Sequence, residues 1–183
     1  MFLVVVLRSL LRLLIQHFPD KVFGLVNLSP NVRVNSGAAF LLNNPWGLQI
    51  AQQVLGEKRQ ISFDSAAYSK YWDTLYTTQA VVQLQSLLET AMTAENFQQI
   101  NTPVLNTFYY KNEEEQDQVV STDAIRWMHE NLATPDSLKI LAPLAEPENH
   151  VLGSPIKSKN VEVVVQTARD FCKKTLRLKP KPN

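Results

Sequence analysis

The chain has 183 residues, 45% of them hydrophobic and 19% charged, with a formal net charge of +1. That length allows one ordinary domain or a piece of a larger one, and so even a charge balance gives no electrostatic argument for a nucleic-acid or anionic-membrane partner. The single cysteine, Cys172, excludes an intramolecular disulfide, reads as small core filler on a helix, and fits a reducing, cytoplasmic compartment.

Met1 to Ile15 is strongly apolar. No positive charge precedes the run, Arg8 and Arg12 interrupt it, and no small-residue cleavage site follows, so it does not read as a targeting segment. It is also shorter than the roughly 20 residues that span a bilayer. The recurrence of Arg8, Arg12 and Gln16 predicts a core helix with a narrow polar stripe. After Pro19-Asp20, the nearly unbroken apolar run Val22 to Leu28 predicts a strand covered on both faces, ended by Ser29-Pro30-Asn31. A helix followed by a buried strand implies an α/β layer with a parallel sheet.

From Ser36 to Gln99 the character changes. Gly37, Pro45-Trp46-Gly47 and Gly56 punctuate short helical stretches; Tyr68, Tyr71, Trp72, Leu75 and Tyr76 recur at helical spacing, as do Val81, Leu84, Leu87, Leu88 and Met92. No strand pattern is visible there, which predicts a helical insertion between two sheet strands. Its aromatics Trp46, Tyr71, Trp72 and Tyr76 are expected to pack the insertion's own core. The α/β rhythm then resumes. Pro103 to Tyr110 reads as a strand and Lys111 to Asp117 as a polar loop. Ser121 or Thr122 caps a helix whose inward face is Ala124, Ile125, Met128 and Leu132, and Lys139 to Leu144 is an edge-like strand. The last helix places Val161, Val164, Val165, Ala168, Phe171, Cys172 and Leu176 on one face, and the tail from Arg177 to Asn183 is expected to fray.

Asp117 and His150 both fall on loops leaving the carboxyl ends of predicted strands, where open parallel sheets bind ligands. A carboxylate on the Nδ1 side of an imidazole fixes its tautomer and leaves Nε2 as a base. On spacing alone, Asp117 reads equally well as a helix-capping residue and His150 as an ordinary loop residue.

The stretch from Ile100 to Leu176 resembles the C-terminal end of an α/β-hydrolase fold protein of the esterase/lipase kind. The likeness is carried in order by Thr102-Pro103-Val104-Leu105, an acid followed by Val119-Val120, a helix, a strand, then His150-Val151 and a closing helix. Phe18-Pro19-Asp20-Lys21-Val22 to Pro30 is similar to the family's helix and strand just after its nucleophile, and the insertion resembles its cap. The resemblance implies a partial α/β-hydrolase parallel sheet with an inserted helical cap: residues 1–35 a core helix and buried strand, 36–99 the cap, 100–183 the core bearing the acid and histidine loops. It also implies Asp117 as the triad acid, His150 as the triad base, and a small-molecule carboxylic ester as substrate of an intact relative.

The family's Gly-x-Ser-x-Gly elbow is missing. The five glycines are Gly24, Gly37, Gly47, Gly56 and Gly153, and no two are four apart. The resemblance places the elbow near Val4-Val5-Val6, and neither Ser9 nor Ser29 fits it. A truncated or frame-shifted hydrolase that is inactive alone is the favoured expectation over a chain completed by another, and a non-catalytic assembly fragment is the competing function. Either way an uncovered strand edge predicts self-association. His17 and His129 stand without ligand-spaced partners, and Glu113-Glu114-Glu115 lacks the alternation of a calcium loop, so no metal is expected. No phosphate loop or dinucleotide fingerprint is present, so no cofactor is expected either. The basic tail residues Lys173, Lys174, Arg177, Lys179 and Lys181 read as a solvated helix end, not a nucleic-acid site.

Overall fold

A computed structural model describes residues 2–5 (backbone only), 22–37, 39–60, 67 and 70–179. The chain forms two compact units, one from Met1–Asn35 with Ala91–Asn183, the other Ser36–Thr90.

The first unit is built on a parallel sheet of four strands. They are β1 (Phe2–Val5), β2 (Val22–Leu28), β5 (Val104–Tyr109) and β6 (Lys139–Leu144), in the order β1-β2-β5-β6. Strands β2 and β5 align Leu25 with Val104 and Asn27 with Asn106, while β5 and β6 align Val104 with Lys139 through to Tyr109 with Leu144. All six residues of β5 are buried, as expected of a central parallel strand covered on both faces. β6 closes one edge, and its Pro143, which cannot donate to a ladder, suits that place.

Phe2–Val5 is a strand paired with β2, where the sequence predicts the start of a core helix. A short continuous apolar run does not distinguish buried strand from buried helix by periodicity, and the adjacent Val4 and Val5 suit a strand. Arg8, Arg12 and Gln16, which carried the helical expectation, lie outside the described residues.

One face of the sheet is covered by helix α4 (Thr122–Asn131) and the short α3 (Ala94–Phe97). Ser121 Oγ caps α4 by accepting the Ala124 N–H at 3.2 Å, which turns Ala124, Ile125 and Met128 onto Val104 and Phe108. The other face is covered by α5 (Val161–Asp170) and the π-helical turn Phe171–Thr175 that extends it. Asn160 caps α5 by accepting from Val163 N at 3.2 Å. Val26, Leu105, Phe171 and Leu176 form one cluster there, and Tyr109, Leu144, Leu152 and Val164 another. A Cβ on Gly24 would stand 2.8 Å from Leu176 Cδ1, so glycine lets this helix end approach the sheet. No helix among the described residues is long and apolar enough to cross a membrane.

The second unit holds a 3-10 turn (Ala39–Asn43), α1 (Gly47–Leu55) and α2 (Thr78–Ala91). It also holds two strands that the sequence does not predict, β3 (Lys58–Gln60) and β4 (Leu75–Thr77), paired antiparallel. Three-residue strands lying mostly in solvent carry no apolar alternation, so no pattern announces them. Its aromatics also depart from expectation. Trp46 and Tyr71 are 69% and 73% exposed, so they do not fill a core, and Tyr71 meets Trp72 edge to face.

Candidate active site

Past β5 the chain makes a polar excursion and returns to the strand end. Lys111 N donates to Glu115 O at 2.9 Å, and Asn112 Oδ1 accepts from the amides of Glu114 and Glu115 at 3.0 and 2.8 Å, folding the segment on itself. Asp117 N then donates to Tyr109 O at 3.1 Å, which sets Asp117 at the carboxyl end of the sheet. Its side chain is buried and takes part in three hydrogen bonds. Oδ1 accepts from Val119 N at 2.9 Å and Val120 N at 3.1 Å; Oδ2 is 2.8 Å from His150 Nδ1.

The acid turn is strapped from outside by the segment after β2. Asn35 N donates to Val119 O and Ser121 N to Arg33 O, each at 2.9 Å, flanking a bridge between Val34 and Val120. Asn35 Nδ2 adds a bond to Asp117 O at 3.3 Å. These long-range contacts leave no trace in local spacing, and the sequence did not mark Asn35.

His150 is carried by the turn after β6. Leu152 is buried against Tyr109, Leu144 and Val164, and its N–H donates to His150 O at 3.0 Å. Asn149 Oδ1 accepts from Val151 N at 2.9 Å. With the carboxylate accepting, Nδ1 carries the ring hydrogen and Nε2 presents its lone pair. The His150 side chain is 21% exposed while that of Asp117 is fully buried, so the ring can be approached and the acid cannot.

The two residues expected from the sequence are thus brought together. Of the positions tied to the nucleophile, Val4 and Val5 lie in β1, and Val6 and Ser9 fall outside the described residues. Ser29 follows β2 with a left-handed φ of 45°, and its hydroxyl is buried with no hydrogen-bond partner among the described residues, so it is not bonded to His150. No serine or cysteine of the described residues hydrogen-bonds to His150.

His129 stands apart from this pair. Its Nδ1 lies 3.1 Å from Asn106 Nδ2, and Asn106 Oδ1 accepts from Asn27 Nδ2 at 2.7 Å inside the sheet. Burial, then the charge of Lys139, pushes the imidazole below its ordinary value of 6.5. No cluster of three His, Cys, Asp or Glu side chains able to hold a metal occurs among the described residues.

No protein-family model matches the sequence, and no curated protein is significantly similar to it. Solved structures do resemble the chain. A structure of the metagenome-derived lipolytic enzymes LipS and LipT is 14% identical with a TM-score of 0.62, the match covering 89% of this chain and 60% of that one. The monoacylglycerol lipase of Paleococcus ferrophilus is 14% identical, TM-score 0.58, covering 91% and 63%. Mouse alpha/beta hydrolase domain-containing protein 10 is 13% identical, TM-score 0.52, covering 90% and 58%. The fold is that of the α/β-hydrolases. At such identities the likeness is one of backbone architecture, and the chain spans about 60% of the length of these structures.

Proposed function

We propose that the chain carries the acid and base of a serine hydrolase acting on small carboxylic esters, Asp117 and His150, on an α/β-hydrolase scaffold. The observation that carries this reading is the 2.8 Å contact between Asp117 Oδ2 and His150 Nδ1, made by two loops at the carboxyl ends of neighbouring parallel strands. In this reading Nε2 takes the proton of an attacking hydroxyl and returns it to the departing alcohol. Asp117 steadies the imidazolium formed between those steps, and its buried carboxylate keeps the ring from turning. The hydroxyl itself is not supplied by any described serine. The inserted unit Ser36–Thr90, between β2 and β5, corresponds to the family's cap, and Ala91–Gln99 belongs to the sheet-bearing unit. A cytoplasmic setting suits the lone thiol of Cys172.

The competing reading is a non-catalytic assembly element on the same scaffold, and it is favoured by Val4 and Val5 standing where the elbow belongs. Hydrolysis of a short-chain p-nitrophenyl ester, measured beside a His150→Ala control, separates the two. Turnover that disappears with His150 overturns the non-catalytic reading and shows that a hydroxyl reaches Nε2; turnover no greater than the control overturns catalysis by this chain alone and fits an incomplete hydrolase that keeps its acid and base.

A further inference from the structure

The turn that presents His150 is strained. Glu148, two residues before it, has a left-handed φ of 46°, a conformation that costs a non-glycine residue its usual preference and persists only where the surroundings impose it. Among the described residues, Lys159 holds this turn twice. Lys159 N donates to Pro147 O at 3.0 Å, and Lys159 Nζ pairs with the Glu148 carboxylate, so the backbone before Glu148 and its side chain are both held from the same point. That point is firm, because Lys159 immediately precedes Asn160, the cap of α5.

We propose that Lys159 is a positioning residue for His150, holding the left-handed turn at Glu148 so that the imidazole meets Asp117. A second pair lies on the acid side of the same edge, Lys111 with Glu115 at 2.9 Å. Lys111 is held above its ordinary value first by Glu115 and further by the charge of Glu148, and Glu115 is held below its own first by Lys111 and further by Lys159. Each pair thus feels the opposite charge of the other, against the repulsion of Lys159 by Lys111. An exposed ion pair adds little to overall stability, so the effect of Lys159 is local to the turn.

The catalytic meaning of this rests on His150 being the base; the geometric claim does not. The test is therefore made without turnover, by following the His150 Nδ1–H proton resonance of the full chain by NMR, assigned with His150→Ala. In Lys159→Gln that proton exchanges with solvent about threefold faster, the size of the hold that an exposed ion pair gives the left-handed turn. Adding Glu148→Gly, which accepts a positive φ without strain, returns the exchange to the wild-type rate. The thermal midpoint stays where it was in both variants. An unchanged exchange rate in Lys159→Gln, or no recovery with glycine at 148, overturns the proposal. Failure of the parent chain to hydrolyse esters would bear on the base assignment alone.

Discussion

Asp117 spends its oxygens on three donors, the amides of Val119 and Val120 and the ring of His150. Removing the carboxylate strands all three in a site that water barely reaches. Asp117→Ala is expected to lower stability by about 2 kcal/mol in chemical denaturation, the cost of buried donors left unpaired, and to remove any His150-dependent ester hydrolysis. A variant as stable as the parent would mean that water or a shifted backbone satisfies those amides. His129 makes a second prediction of known sign. Its folded-state pKa lies below its ordinary value, so the unfolded chain binds the proton more readily. The stabilising share of neutral His129 is complete above about pH 6.5 and is lost as pH falls through the lower folded value. Protonation also sets Nδ1–H against the Asn106 amide. Urea midpoints should fall between neutral and mildly acid pH, and His129→Gln should fall less; equal slopes would contradict it.

Elements differ in how far the sequence exposes them. Strand β5 and helix α4 are legible because a buried apolar run and a Ser cap are local signals, and their loops place Asp117 where the family resemblance expects it. Strand β1 is misread because four apolar residues carry no period, and β3 and β4 are missed because their pairing is a matter of backbone alone. The contacts that complete the site are the least legible. Asn35 acts across 82 positions of sequence on Asp117, and the role of Lys159 depends on a φ angle at Glu148. The histidine turn depends on packing in the same way. Leu152, 1% exposed, anchors it between Tyr109 and Val164. Leu152→Ala should cost about 3 kcal/mol, as large-to-small core changes do, and should broaden the His150 ring signals more than those of His129. Equal broadening of both would indicate general loosening, with no specific anchor at Leu152.

At the scale of the whole molecule, the sheet has two ends of unlike character. β6 is blunted by Pro143, which withholds one ladder donor. No strand among the described residues pairs with the far side of β1, and a parallel strand with an open side presents a row of backbone donors and acceptors. Such an edge recruits another strand, and a second copy of the chain offers one at equal concentration. Light scattering should therefore show a mass that rises with protein concentration. The amides of Phe2–Val5 should exchange more slowly as it does, since intermolecular pairing buries them. Protection that appears on Lys139–Leu144 instead would place the contact on β6, and a monomer at every concentration would show that β1 is covered within the chain. The two outcomes also bear on chemistry. A covered β1 leaves the Asp117–His150 pair to work with groups of its own chain, whereas an open one allows a neighbouring copy or another chain to bring a hydroxyl to Nε2.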